Sequence, residues 1–368
     1  MIQIQSSATL TILLSVYCLC VAIYVAKLCR RALYSPLNGA KDAHWSVRYC
    51  GAWIWWQRCL ERDAQAVHSA HLRLGPVIRL GPVEISVNDV DGGLKPIYEG
   101  RLPKTDFYQV ANSYGKEPMV AMRDEERHRQ RRKILAKPYG KTCLMGNQDW
   151  HVEQARLADD LVSGLGKLAK TNSELELYDV LFAWSVASTS TYIFGRGGSL
   201  NLLHNVPEAH RLREEYFSQR AYQFVGVILP FPPRVFHWMG YRPELLWIRR
   251  LQDQAQKAQK SPPKQAEADG WTPVYDNMKQ GLDVLQEKQS SVDTRLSRDQ
   301  TAILSSEMQD HFIAGIDTSL SALTACAWLL SVECNRQWQG RLREEARSVR
   351  RPSSDRELER LPFLNAVN

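Results

Sequence analysis

From His311 to Val332 the only formal charge is Asp317. A helix that apolar on every side is either buried in a large core or spans a membrane. A carboxylate in the middle of a spanning helix costs roughly 2.5–3.5 kcal/mol on insertion scales, so burial in a core is the expectation. Gly315 inside a helix costs up to about 1 kcal/mol relative to Ala, and Thr318 is β-branched. A helix that sets Gly315, Asp317 and Thr318 together gives up stability for something. Glycine permits close approach of a ligand to the backbone, and a neighbouring acid and alcohol can relay protons into a dry cavity. The competing reading of Asp317 is a buried carboxylate at a helix kink.

Such a helix needs a large domain around it, and 368 residues with 44% apolar content supply one. That length holds one large domain or two ordinary ones. The 47 Lys and Arg against 40 Asp and Glu leave a net charge of +7, spread along the chain. This suits an anionic membrane surface or an acidic protein partner. No concentrated basic face with interleaved aromatics occurs, so no nucleic acid is expected as a partner. The eight cysteines (Cys18, Cys20, Cys29, Cys50, Cys59, Cys143, Cys326 and Cys334) form no C-x-x-C pair and no zinc-finger spacing with histidine. They fit a reducing, cytosol-facing domain.

The other apolar run is N-terminal. Ile2 to Ala26 carries no formal charge, and Ala8 to Ala26 is almost wholly apolar, about the thickness of a hydrocarbon core at helical rise. A cleaved signal would have a basic segment before the run; here Lys27, Arg30 and Arg31 all follow it. The expectation is a transmembrane anchor at 1–26, a basic flank and hinge at 27–45 (the hinge being SPLNGAKDAHW), and a cytosolic globular part at 46–368. In a eukaryotic cell that orientation implies a single-pass protein of the endoplasmic reticulum membrane, with the lipid bilayer as a partner. Trp53, Trp55 and Trp56 open an amphipathic stretch that either rests on the bilayer or packs into a core.

Two short alternating runs punctuated by Gly-Pro, within 75–88, predict a small β-hairpin. Downstream the period is helical, at about 124–136, 151–170, 175–194, 207–226, 243–259, 298–333 and 335–350, with polar breaks at 260–270 and 289–298. The fold class is mainly α with a small β element. In DEERHRQRRKIL (124–135), His128 and Arg132 stand at i and i+4 on one helix face. Such a face can hold paired carboxylates; taken alone, an Arg-rich run reads first as a solvated surface.

Ala314-Gly315-Ile316-Asp317-Thr318 resembles the distal-helix motif of the cytochrome P-450 family of haem-thiolate monooxygenases. The hinge ending in His44-Trp45, LGPVIRLGPVEISVND (74–89), PKTDFY (103–108), LYDVLFAWSVASTSTYIFG (177–195), QWQGRLREEA (337–346) and LPFLNAV (361–367) resemble the same family in collinear order, most closely its filamentous-fungal members. The resemblance implies the P-450 fold and haem as cofactor. It implies that Ala314 and Gly315 lie against the haem, that Asp317 and Thr318 help deliver protons during dioxygen activation, and that His128 and Arg132 contact the haem propionates. It implies electrons from an NADPH-dependent flavoprotein reductase and oxidation of a lipophilic small molecule, in a fungal secondary-metabolite pathway.

In that family LPFLNAV leads into Glu-x-x-Arg and later into Phe-x-x-Gly-x-Arg-x-Cys-x-Gly, whose thiolate is the axial iron ligand. The given sequence stops at Asn368, and none of its eight cysteines stands in such a loop. The expectation is an incomplete, inactive product of a monooxygenase gene, with no metal ligand of its own. The alternative is a non-catalytic truncated membrane protein.

Overall fold

The computed structural model describes residues 2–100, 102–171, 174–218, 248, 250, 253, 273–287, 294–349, 358 and 360–367. The chain divides into two compact units, Met1–Pro103 and Lys104–Asn368. The helix expected at 243–259, apart from those three residues, lies outside the described set, as do 219–226 and the break at 260–270.

The first unit begins with α1 (Ile2–Leu33), which runs past Ala26 through Lys27, Arg30 and Arg31. The expected hinge is ordered. Ser35 caps a 3-10 turn at Pro36–Gly39, and β1 (Lys41–Asp42) pairs in parallel with β2 (Val77–Gly81). The predicted hairpin is present: β2 pairs antiparallel with β3 (Glu84–Val87), with an irregular register between Arg79 and Gly81. Arg79 is fully buried, and its guanidinium donates to four neutral oxygens: Gly81 O, Pro82 O, Ser35 Oγ and Asn38 Oδ1. Two helices, α2 (Ala52–Cys59) and α3 (Asp63–Leu74), cover the sheet around Ile54, Ala70, Ile78 and Leu80. The tryptophan stretch divides between its two readings, with Trp53 packed on this core and Trp56 56% exposed. A short α4 (Lys95–Glu99) follows.

The second unit is helical. Its centre is α8 (Leu177–Phe194), buried on nearly every side and ended by Gly195 at φ 76°, a left-handed position that favours glycine. Against it pack α7 (Gln148–Thr171), α9 (Val206–Ser218), α10 (Val274–Glu287) and the long α11 (Thr294–Ser331). Helix α11 starts at Thr294, inside the break expected at 289–298. The face it gives to the core is a stripe of every fourth residue, Leu304, Met308, Phe312, Ile316 and Leu320, each at most 5% exposed. Before α7 in the chain come α5 (Glu125–Leu135), whose N-terminus is capped by the Asp124 carboxylate, and the short α6 (Lys141–Gly146). At the far end, α12 (Arg336–Ser348) supplies Glu345, whose two oxygens accept from the Phe363 and Leu364 backbone N–H groups and so cap α13 (Pro362–Val367).

The sequence leads to the expectation of a helix buried on all sides around Asp317; the structure differs. Ala314, Thr318, Ser321, Ala322, Ala325 and Trp328 are exposed along one face. Among the described residues, Asp299–Ser331 is the one helix segment long and apolar enough to cross a membrane. Its i,i+4 stripe and its packing on α8 are those of a core helix with one face uncovered.

Candidate functional site

Helix α11 carries the site. Thr318 turns its hydroxyl back to the Ala314 carbonyl at 2.8 Å, the i−4 bond that bends helices. Both residues lie on the exposed face. Asp317, one residue earlier, is half-buried and accepts a 2.8 Å hydrogen bond from the Tyr216 hydroxyl on α9. Neighbouring in sequence, the acid and the alcohol therefore reach toward different surroundings.

Gly315 has a different explanation from the one its sequence suggests. A Cβ built there would lie 2.8 Å from Thr189 Cγ2 and 3.0 Å from Thr189 Oγ1, on α8. Close helix packing is enough to account for its missing side chain. We expect Gly315→Leu to lower stability by about 1–3 kcal/mol through overpacking, and Thr189→Ala to restore part of the loss. Chemical denaturation of the single and double variants checks this; an unchanged midpoint for Gly315→Leu would contradict the packing account.

Helix α5 presents the second group of residues. Three of its arginines are paired, Arg127 with Glu117, Arg129 with Glu126 and Arg131 with Glu307. Arg132 is exposed and has no ion pair among the described residues. His128 is half-buried, and burial first, then the Lys104 and Arg132 cations, hold its imidazole below the usual histidine range. A carboxylate arriving beside these groups would relieve that repulsion. Lys104 is the member that pattern reading missed, because PKTDFY gives no sign that its lysine folds back. Its ammonium donates to Met119 O at 3.3 Å and Val120 O at 2.8 Å.

Between α5 and the Ala314 face lies a polar cluster with no counterpart in the sequence reading. Glu307 is fully buried and accepts from Met119 N at 3.1 and 3.2 Å and from Arg131 Nη1 at 2.7 Å. His311 Nε2 stands 3.4 Å from Glu307, and the Tyr139 hydroxyl lies 2.7 Å from His311 Nδ1. Asp310 accepts from the Val120 backbone, and burial raises its pKa to about 6. Glu307, Asp310 and His311 are near enough together to share a metal ion. Arg131 pairs with Glu307, and Lys104 lowers the pKa of Asp310 against the larger effect of burial. The visible signal for it was Glu307 in the turn before the apolar run.

A cytochrome P450 family model matches residues 94–367. The chain belongs to the cytochrome P450 family. Its relatives among known proteins are fungal monooxygenases. The cytochrome P450 monooxygenase macH of Penicillium terrestre is 26% identical over 330 residues, covering 81% of this chain and 58% of the relative. A cytochrome P450 monooxygenase cypX of Dothistroma septosporum is 24% identical over 310 residues, covering 82% of this chain and 57% of the relative. Tryprostatin B 6-hydroxylase of Aspergillus fumigatus is 27% identical over 128 residues, covering 34% of this chain and 22% of the relative. The chain thus spans little more than half the length of the first two of these relatives.

The family implies haem, and two features of this chain suit it. The exposed face of α11 is lined near the motif by small side chains, Ala314, Thr318, Ala322 and Ala325, which leave room for a flat apolar ring system. Lys104, His128 and Arg132 offer a cationic group for its carboxylates. The eight cysteines are all free, seven exposed and Cys326 half-buried, and none stands in the family's axial-ligand sequence.

Proposed function

We propose that these residues form the anchor, distal helix and propionate-binding helix of a membrane-bound haem-thiolate monooxygenase. Its reaction would place one oxygen atom of dioxygen in a lipophilic small molecule of fungal secondary metabolism. The observation that carries this reading is the uncovered small-residue face of α11 around Ala314 and Thr318, set in a chain of this family. Bound haem, with a thiolate from outside the eight cysteines of this sequence, would supply the oxidising chemistry. In this reading Ala314 and Ala322 shape the apolar surface, and His128 and Arg132, with Lys104, hold the two carboxylates. Thr318 keeps a hydroxyl on the exposed face while its proton is engaged by Ala314 O. Asp317, kept in place by Tyr216, is the acid that exchanges protons with the interior. Gly315 contributes indirectly, by letting α11 approach α8.

The test requires the full-length enzyme with its axial cysteine. Thr318→Ala removes a hydroxyl from an exposed face, so folding and haem content should change little while product per NADPH falls and peroxide rises. Asp317→Asn, which retains an acceptor for Tyr216, should do the same. Unchanged coupling in both variants would remove the assignment.

For location, the proposal is an anchor at 1–26, a basic flank at 27–45 and a cytosolic part at 46–368, on the endoplasmic reticulum, with an NADPH-dependent flavoprotein reductase as electron donor. Lys27, Arg30 and Arg31, all beyond the apolar run, support that orientation. Protease added outside intact microsomes should digest the globular part. Protection of that part would reverse the topology.

A further inference from the structure

Four aromatic rings run in contact through the second unit, from α7 to α11. Trp150 on α7 lies 4.6 Å from Tyr192 on α8, centroid to centroid. Tyr192 lies 5.8 Å from Tyr139, and Tyr139 lies 5.3 Å from His311. Aromatic pairs at such spacings are common in cores and contribute modestly to packing. What sets this series apart is how the two phenols are bonded. Tyr192 donates to the carbonyl of Pro138, which cannot accept a proton outright. The Tyr139 hydroxyl lies 2.7 Å from His311 Nδ1, an imidazole nitrogen that can take its proton when the ring hydrogen is on Nε2.

The rest of the cluster fixes that role. The Glu307 carboxylate, 3.4 Å from His311 Nε2, favours the tautomer with the ring proton on Nε2 and Nδ1 open to accept. Glu307 is itself anchored by Arg131 and the Met119 N–H. A hydroxyl, an imidazole and a held carboxylate in that order form a proton-accepting relay, the carboxylate stabilising the ring's cation by its charge. Burial first, then Tyr192 and the Glu307 and Asp310 carboxylates, keep the Tyr139 phenol above the usual tyrosine range. Its proton therefore stays on oxygen until an electron leaves.

We propose that Tyr139 is a redox-active tyrosine, oxidised by way of Trp150 and Tyr192 with its phenolic proton passing to His311. The oxidant is any strong one-electron acceptor that reaches Trp150, such as an azidyl or peroxyl radical. It takes one electron from the indole, which loses its N–H proton to solvent as a neutral indolyl radical. Tyr139 then gives one electron across the ring contacts to that radical, which recovers a proton from solvent. The Tyr139 O–H bond breaks, its proton forms a bond to His311 Nδ1, and the products are a neutral phenoxyl radical and an imidazolium beside Glu307. The inference does not depend on the proposed monooxygenase reaction.

Pulse radiolysis with azide tests it on the full chain in lipid nanodiscs. The expected result is a first-order phase in which indolyl absorption decays as phenoxyl absorption grows, slower in deuterium oxide. Trp150→Phe and Tyr139→Phe should each remove the same part of the amplitude of that phase, and Tyr108→Phe, outside the series, should leave that part. A phase absent from the unaltered chain, or unchanged in Tyr139→Phe, overturns the proposal. Should Tyr139→Phe fail to give the native circular dichroism, a fluorinated tyrosine at position 139 replaces it. The frozen radical must then show an altered hyperfine splitting, and an unaltered one overturns the proposal.

Discussion

Replacing Glu307 by Leu should cost about 3–5 kcal/mol, the penalty for breaking a buried ion pair from one side. The carboxylate is completely buried and its partner Arg131 is only 8% exposed. Removing it leaves that guanidinium without its counter-ion, and leaves the Met119 N–H without its acceptor. The double replacement Glu307→Leu with Arg131→Met should recover much of the loss, because two apolar groups of similar volume avoid desolvating either charge. Urea denaturation of the three variants measures this. A single replacement no worse than the double one would mean that the pair does not act as a unit.

Asp310→Asn should stabilise the chain, and the gain should depend on pH. Burial raises the folded-state pKa of Asp310 from 3.8 to about 6. Below the lower value both folded and unfolded chains hold the proton, and the group contributes no difference. Between the two values the unfolded chain ionises while the folded one does not, so stability falls as pH rises. Above about 6 the penalty is constant, on the order of 3 kcal/mol at roughly 1.4 kcal/mol per pKa unit. Asparagine keeps an oxygen for the Val120 N–H but carries no charge to desolvate. The difference in unfolding free energy between variant and native chain should be small at acid pH, grow toward neutrality and then level off. A difference independent of pH would exclude Asp310 as its source.

Much of this architecture was legible beforehand. The 3.6-residue period gave α5, α8, α11 and α12 to within a few residues, and Gly-Pro punctuation gave β2 and β3. Strand β1 was not legible, because two residues carry no pattern and its partner lies far along the chain. His128 and Arg132 could be placed together because one helix fixes their spacing. The partner of Asp317 could not, since Tyr216 is brought to it by the packing of both α9 and α11 on α8. Arg131 misled in the same way: an arginine in DEERHRQRRKIL reads as solvated, and only the tertiary fold turns it inward to Glu307.

The buried guanidinium of Arg79 bears on mechanics. By holding Ser35 and Asn38 together with the carbonyls of Gly81 and Pro82, it ties the residues just after α1 to the sheet of the same unit. A leash of that length would let the sheet tumble freely below the helix end. Fastened at Arg79, it acts as a bracket, and the sheet takes its heading from the tilt of α1. Any torque on the helix then turns the strands with it.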